Sequence, residues 1–398
     1  YSNYFSLSDR KTNIESGGTS NRRNMNMFED NNVKDVSYRL NNNRQLLENN
    51  LLKFGAQITY NDISYQYVQN DTSEIVNTHD YGTQYLAFIQ DEHKFFDKLF
   101  VNAGFRTTYY DVTNTFYYEP RLSAVLELPW NFKFKAAWGM YNQFISRTVR
   151  EDVLAGSKDF WVLAEDENVP VSSSIQYVAG IEWEPDDYLF GAEVFYKDMK
   201  GLSEFSMRYT RSPDGAQLNE LFFSGSGVAK GIEFLAQKKI GKMTGWLAYT
   251  LSSVIHEFPN MNNGLPFYAL HDQTHEFKAV YSHQVNDWDF SATFIYASGT
   301  PYTAPEGVYQ LTLLDGTVYD YIHVSDKNSY RLPDYHRLDI SAGYNFRLGK
   351  SKASLGISIF NLYDHDNIWY KEYDTDEETG QLIETNITKL GITPNVSF

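Results

Sequence analysis

Ile175-Gln-Tyr-Val-Ala-Gly-Ile-Glu-Trp-Glu-Pro-Asp-Asp-Tyr-Leu-Phe-Gly-Ala-Glu-Val-Phe-Tyr-Lys197 consists of two runs of alternating side chains around a Pro-Asp-Asp break. In the first run Ile175, Tyr177, Ala179, Ile181 and Trp183 share one face, and Gln176, Val178, Gly180, Glu182 and Glu184 share the other. In the second, Tyr188, Phe190, Ala192, Val194 and Tyr196 alternate with Leu189, Gly191, Glu193, Phe195 and Lys197. A period of two residues is the signature of a β-strand, and Pro and Asp between two such runs mark a hairpin turn. The pattern returns at 338–346, where Leu338, Ile340, Ala342, Tyr344 and Phe346 alternate with Asp339, Ser341, Gly343 and Asn345. It returns again at 101–109, 121–128 and 132–141, with Arg106, Arg121, Glu127, Lys133 and Lys135 on the second face. Each of these strands keeps one face free of charge.

That asymmetry decides between two all-β architectures. A soluble β-sandwich also alternates, but its outward face meets water and its strands usually run about 5–6 residues. A charge facing lipid near the bilayer midplane costs roughly 2–4 kcal/mol for Lys or Arg, so a membrane barrel must exclude it from one face. Long strands with aromatic-rich, uncharged faces predict a transmembrane antiparallel β-barrel.

Extending the reading along the chain gives sixteen strand-like segments, near 1–9, 33–43, 50–69, 79–92, 97–110, 117–129, 131–144, 172–185, 187–207, 221–239, 242–257, 272–285, 287–298, 335–347, 351–366 and 387–398. The gaps near 44–49, 93–96, 130, 186, 240–241, 286 and 348–350 are tight. Those near 10–32, 145–171, 258–271, 299–334 and 367–386 are long, and 70–78, 111–116 and 208–220 are intermediate. Tight turns on one rim and long loops on the other are expected of an outer-membrane barrel. No linker or low-complexity stretch divides the chain, so 1–398 reads as part of a single barrel domain.

Composition agrees. Aromatics make up 16 % of the 398 residues, with 31 Tyr and 27 Phe, residues that favour pleated surfaces and membrane interfaces. No run approaches the roughly 18 apolar residues of a membrane helix, which a barrel does not need. The absence of cysteine rules out disulfides, thiolate metal sites and a cysteine nucleophile. A net charge of −17, from 51 acidic and 34 basic residues, argues against nucleic acid as a partner. The chain opens at Tyr1 without a signal peptide, so an exported protein is expected to be mature or incomplete here.

Several stretches carry a family resemblance. They are Gly225-Ser-Gly-Val-Ala-Lys-Gly-Ile-Glu233, Gly245-Trp-Leu-Ala-Tyr-Thr-Leu-Ser252, His271-Asp-Gln-Thr-His-Glu-Phe277, Tyr296-Ala-Ser-Gly-Thr-Pro-Tyr302, Leu332-Pro-Asp-Tyr-His-Arg-Leu-Asp339, Phe360-Asn-Leu-Tyr363 and Ile392-Thr-Pro-Asn395. In order and spacing they resemble the C-terminal barrel half of TonB-dependent outer-membrane receptors, particularly those of Bacteroidetes-type bacteria. The final strand, with Leu390, Ile392, Pro394, Val396 and Phe398 on one face, resembles the signal read by the barrel assembly machinery, with Gly391, Val396 and Phe398 as its candidate residues. The family barrel has about 22 strands and a plug inside it. The resemblance therefore implies that sixteen strands match the seventh to the last, with the plug, the energy-coupling box and the first strands having no counterpart in this chain. Family C-termini often run past the position of Phe398. It also implies uptake of a scarce nutrient (an iron chelate, vitamin, glycan or peptide) driven by the inner-membrane TonB complex. Implied partners are outer-membrane lipid and lipopolysaccharide, the barrel assembly machinery and, in some relatives, a surface lipoprotein lid. No cofactor is implied. Two other readings stay open: a complete sixteen-stranded passive porin, because porins close with about 16–18 strands, and a soluble β-rich carbohydrate-active enzyme.

Candidate site residues follow from position. Arg106, Arg121, Glu127, Lys133, Lys135, Glu182, Glu184, Glu193, Lys197, Glu233, Lys278 and Asp339 are expected to face the lumen, where they pair across the wall, contact a plug or line the substrate path. Trp161, Tyr268, Tyr302, Trp369 and Tyr370 fall in long loops and either pack there or stack on a sugar or aromatic ligand. Other constellations resolve as structural. On a strand, His271 and His275 lie about 13 Å apart, too far to share a metal. Gly225, Gly227 and Gly231 lack the following helix of a nucleotide loop. The acidic stretch Tyr373–Gly380 supplies too few oxygens by itself for calcium and lacks EF-hand spacing, leaving a solvated turn or a contact with cation or surface glycolipid. No G-x-S-x-G or H-E-x-x-H motif occurs, and no catalytic residue is expected.

Overall fold

A computed structural model describes residues 2–16, 23–69, 73–151, 153, 157–165, 169–206, 221–316, 318–376 and 381–397. In chain order the strands begin with β1 (Ser2–Ser16), β2 (Arg23–Leu47), β3 (Asn50–Gln69), β4 (Ser73–Phe95), β5 (Leu99–Tyr110), β6 (Thr115–Leu128) and β7 (Phe132–Gln143). A hairpin follows, β8 (Ile145–Arg150) and β9 (Lys158–Leu163), and then β10 (Ser172–Trp183), β11 (Tyr188–Phe205), β12 (Phe222–Lys238) and β13 (Met243–Glu257). The short β14 (Phe267–Tyr268) precedes β15 (His275–Val285) and β16 (Trp288–Ala297). Four loop strands come next: β17 (Pro301–Tyr302), β18 (Pro305–Thr312), β19 (Val318–Val324) and β20 (Tyr330–Arg331). The chain continues with β21 (Tyr335–Leu348), β22 (Ser351–Phe360), the loop pair β23 (Ile368–Thr375) and β24 (Leu382–Thr388), and β25 (Thr393–Ser397).

One sheet holds 19 strands; setting aside β8, β9 and β14 on the loop side leaves sixteen in its wall among the described residues. Each wall strand pairs antiparallel with the next, with β7 meeting β10, β13 meeting β15, β16 meeting β21 and β22 meeting β25. The tight turns carry left-handed backbone at Asp97, Asn131, Asp186, Gly241, Asn286 and Gly349. Asn, Asp and Gly tolerate positive φ, which matches a short hairpin connection to the twist of the strands.

The sixteen expected segments correspond one to one with the wall strands, and their limits differ in instructive places. The long loop expected at 10–32 is mostly strand, because β1 and β2 pair from Ser2↔Ser37 to Ser16↔Arg23. The final wall strand is only Thr393–Ser397, since 387–388 belong to the loop pair β23–β24. Pro394 and Val396 lie opposite Ile359 and Ile357 on the apolar face. Phe398, the last residue of the expected assembly signal, lies outside the described residues.

Register fixes the two faces. Leu122, Trp138, Tyr177 and Tyr196 form one continuous row across β6, β7, β10 and β11, with Ala124, Ala136, Ala179 and Val194 in the next. Aromatic rows flank this apolar band. Near the tight turns, Phe132 stacks on Trp183 at 5.6 Å and Trp183 on Phe190 at 5.5 Å, while Trp288 meets Tyr344 at 4.9 Å. Toward the loop rim, Tyr109 meets Phe116 at 5.0 Å and Phe105 meets Tyr118 at 6.0 Å. Two aromatic girdles bounding an apolar band match a lipid-facing surface.

In β2–β4 the faces exchange character along the strand. Tyr38 and Leu40, Phe54 and Ile58, and Tyr85 and Ile89 occupy the exposed apolar face in the lower part. Farther toward the loop rim the same face carries Lys34, Asp62, Ser64 and His79, with His79 Nε2 2.9 Å from Asp62. The opposite face changes from Gln57 and Thr59 to buried Val33, Ile63, Tyr65 and Tyr67. Lipid outside and polar lumen inside therefore give way to water outside and a packed core inside. The strands are 20 to 25 residues long, more than the 9–11 or so that cross a bilayer, and the surplus forms a folded body above it.

Arginine at Ile181 is expected to cost roughly 2–4 kcal/mol and to lower the yield of folded barrel, scored as the heat-modifiable band on unboiled gels. Arginine at Gln176, on the opposite face of the same strand, is expected to leave that band intact.

Candidate functional site

Among the described residues, four long connections leave the loop rim, between β7 and β10, β13 and β15, β16 and β21, and β22 and β25. Buried polar contacts tie three of them together. Asp272, fully buried, accepts the Val254 N–H at 2.6 Å and the Arg331 guanidinium at 2.6 Å. Arg331 also donates to the Gly299 carbonyl at 3.0 Å and lies 4.5 Å over the Tyr268 ring. Gly299 has no alternative at this crossing, because a Cβ there would sit 1.6 Å from the Leu332 carbonyl oxygen. Nearby, the Lys327 side chain is 4 % exposed, with its ammonium 3.2 Å from Glu204 and 3.8 Å from Glu151. Thr303 donates its hydroxyl to Glu151, and Asn328 donates to the Tyr268 carbonyl at 2.8 Å.

Between these connections lies a cleft of about 790 Å³. Its walls include Arg147 and Asp159 from the β8–β9 hairpin, His271 and Gln273 before β15, and Ser298–Thr303 after β16. Tyr335, Trp369, Tyr370, Lys371, Tyr373 and Lys389 complete it. Trp369 is 63 % exposed and meets Tyr370 edge-on at 5.2 Å. The Tyr302 and Tyr373 hydroxyls are 3.4 Å apart, and burial with that hydrogen bond pushes the Tyr373 phenol above its ordinary range. Burial alone would lower Lys371, but Glu384 and Tyr302 together outweigh this and hold its ammonium more firmly protonated than usual. Lys389 differs. It lies 4.7 Å over the Tyr335 ring, and among the described residues no carboxylate lies within ion-pair distance. Burial, with Arg337 nearby, lowers its pKa from the ordinary lysine value. The cleft thus combines aromatic faces, phenol and amide hydrogen-bonding groups and one uncompensated cation.

The chain matches the family model described as TonB dependent receptor-like, beta-barrel over residues 1–362. The chain belongs to this family. Its members are outer-membrane β-barrels and transporters rather than enzymes, which places this receptor-like barrel in the outer membrane. Among solved structures, Pseudomonas aeruginosa FpvA bound to heterologous pyoverdines is similar with a TM-score of 0.58 at 10 % identity, covering 98 % of this chain and 51 % of that one. The FrpB iron transporter of Neisseria meningitidis gives 0.58 at 11 %, covering 86 % and 55 %. The unliganded ferric citrate transporter FecA gives 0.57 at 12 %, covering 97 % and 56 %. The chain thus spans about half the length of each. No curated protein sequence matches it.

The expected site residues separate into two groups in the receptor barrel. The charged set shares the polar face, and part of it pairs as neighbours. Lys133 lies 3.1 Å from Glu184, Lys135 pairs with Glu182, and Lys278 lies 2.6 Å from Glu276. Arg106 pairs with Glu119, fully buried in β6 and not singled out by the sequence. Asp339 lies 3.2 Å from Arg337, while Arg121 lies 6.0 Å over the Tyr141 ring. Glu193 and Glu233 are opposite one another in the β11–β12 register, Lys197 faces Ala229, and Glu127 faces Lys133. Of the loop aromatics, Tyr302, Trp369 and Tyr370 converge on the cleft. Tyr268 instead carries the Arg331 guanidinium, and Trp161 lies opposite Arg147 in the β8–β9 hairpin. The cleft cations Arg147, Lys371 and Lys389 had no local signal, since loops far apart in sequence bring them together. Of the acidic stretch, 377–380 lies outside the described residues.

Replacing Asp272 with alanine strands Arg331 and the Val254 N–H, a loss on the order of 2 kcal/mol. Limited proteolysis of intact cells is expected to cut within 299–334 faster in this variant than in the parent.

Proposed function

We propose that this barrel forms the C-terminal part of a receptor that captures a scarce nutrient outside the cell and imports it with energy delivered by the inner-membrane TonB complex. A single observation carries the reading: in a member of this receptor family, the long connections converge on one cleft at the rim opposite the tight turns. The sixteen wall strands against about 22 in a plugged transporter support a longer parent protein, as does the half-length coverage of each structural relative. The relatives are described as binding pyoverdine with iron, or as iron and ferric citrate transporters, which makes a ferric chelate the ligand to try first. Lys389 suits an anionic group on such a ligand, and Trp369 with Tyr302 suits its planar parts. The polar-face charges serve as structural pairs and as the surface a plug would meet. Lipopolysaccharide, the barrel assembly machinery and a surface lipoprotein complete the proposed partners.

The full-length receptor, purified from outer membranes, is expected to change its tryptophan fluorescence with one ligand class among ferric siderophores, cobalamin, oligosaccharides and peptides. Lys389→Ala is expected to weaken that binding about tenfold, the effect of losing roughly 1.4 kcal/mol. Uptake of the same ligand is expected to stop when the proton gradient is collapsed. Uptake that persists without the gradient would favour a passive porin instead.

A further inference from the structure

The β8–β9 hairpin leaves the wall between β7 and β10 and lodges elsewhere. Its Phe160 ring stacks on Tyr65 of β3 at 3.9 Å and meets Phe205 of β11 edge-on at 5.4 Å. Along the sheet, β3 and β11 are separated by the path β4, β5, β6, β7 and β10. Six steps of about 4.8 Å make roughly 29 Å of wall. One phenylalanine spans the two ends of that arc, so at the loop rim the arc is drawn into a short chord.

The contact is held from several sides. Arg150 lies 3.4 Å from Glu29 and 4.2 Å over the Tyr67 ring, with both ion-pair side chains under a tenth exposed. Tyr65 donates to Glu29 at 3.0 Å. Asn31 accepts the Trp161 backbone N–H at 3.1 Å, and Tyr110 donates to the Ala164 carbonyl at 2.8 Å. Leu163 approaches β4 so closely that a Cβ on Gly82 would lie 3.2 Å from it. Phe160 and Val162 sit in one buried cluster with Tyr65 and Phe205, and Leu163 sits in a second with Ile63 and Tyr110. A loose lid has few buried contacts and exposed backbone hydrogen bonds. This hairpin has the reverse. Its other face presents Arg147 and Asp159 to the cleft.

We propose that the β8–β9 hairpin is a fixed selectivity wall that seals the β3–β11 arc of the rim and forces an incoming ligand past its Arg147 and Asp159 face. The proposal rests on the reading that the loop rim faces the outside of the cell. The selecting chemistry is a charge pair beside aromatic rings, which sorts ligands by size and by polar groups at the edge of a planar body. The cleft this hairpin borders is completed by the connections after β13, β16 and β22, so the proposed path lies on that side of the hairpin.

The chain has no cysteine, so single thiols can be placed at will in the full-length receptor in whole cells. Thr108 lies fully buried on the inward face of β5, near the loop rim inside the sealed arc, and Ser298 lines the rim cleft outside it. With a charged, membrane-impermeant maleimide of siderophore size, S298C is expected to react. T108C is expected to react about tenfold more slowly or less, because its reaction waits for local opening. Replacing 146–162 by a short Gly-Ser link is expected to raise the T108C rate to that of S298C. Phe160→Ala, a milder change, is expected to raise it in part. Equal rates in the intact receptor overturn the hairpin proposal and leave the receptor reading standing, as does protection of T108C that survives both changes. Cysteines that both react only after the outer membrane is permeabilised overturn the orientation and the proposal with it.

Discussion

A backbone that crosses lipid must satisfy every N–H and C=O within the protein, and nearly everything in this molecule follows from that requirement. Between its two edge strands the wall meets it by continuous antiparallel pairing from β1 to β25, which are not paired with one another among the described residues, and that register also commits every side chain to one of two faces. Once the faces are fixed, lipid forbids charge on one of them. The other becomes the only place for Lys133, Lys135, Glu182 and Glu184, which neutralise one another across neighbouring strands. The salt bridges are consequences of the barrel more than causes of it. Exposed pairs of this kind contribute little stability singly, so the apolar rows and the backbone ladder carry the wall.

The rim obeys a different rule. Where β2–β4 rise above the bilayer, water replaces lipid outside and the strands change which face is apolar. That exchange lets Ile63, Tyr65 and Tyr67 build a core with a hairpin borrowed from between β7 and β10. The loops are therefore folded bodies, cross-tied by Asp272, Arg331, Lys327 and Glu151. A rigid cap suits recognition, because the aromatic rings and cation of the cleft are held in place before a ligand arrives.

The wall was legible because its physics is local. Period-two alternation around Ile175–Lys197 needs no knowledge of distant partners. The extent of β1 and β2 was hidden because the outward apolar pattern ends near Val36, where the bilayer ends while the strand does not. The strands β8 and β9 were hidden for a related reason. They are short, and the residues that give them their core, Tyr65 and Phe205, lie far off in sequence. Of the site, the exposed loop aromatics Tyr302, Trp369 and Tyr370 could be named from sequence, but not the company they keep. Lys371 comes from a stretch next to an acidic turn, and Lys389 from what read as the start of the last wall strand. The family resemblance, by contrast, was carried by short motifs within strands and at their ends, and the family match over 1–362 agrees with it.

The exchange of faces along β3 is the feature on which both the membrane boundary and the rim core depend. Spin labels at single cysteines from Phe54 to Tyr67, in full-length receptor reconstituted into bilayers, report it directly through collisions with lipid-soluble oxygen and a water-soluble nickel complex. Oxygen contact is expected at Phe54, Ala56 and Ile58, giving way to nickel contact at Asp62, Ser64 and Gln66, while Ile63 and Tyr65 stay shielded from both. Oxygen contact continuing in the same phase through Gln66, or nickel contact at Phe54 through Ile58, would contradict the structure of the wall and its rim.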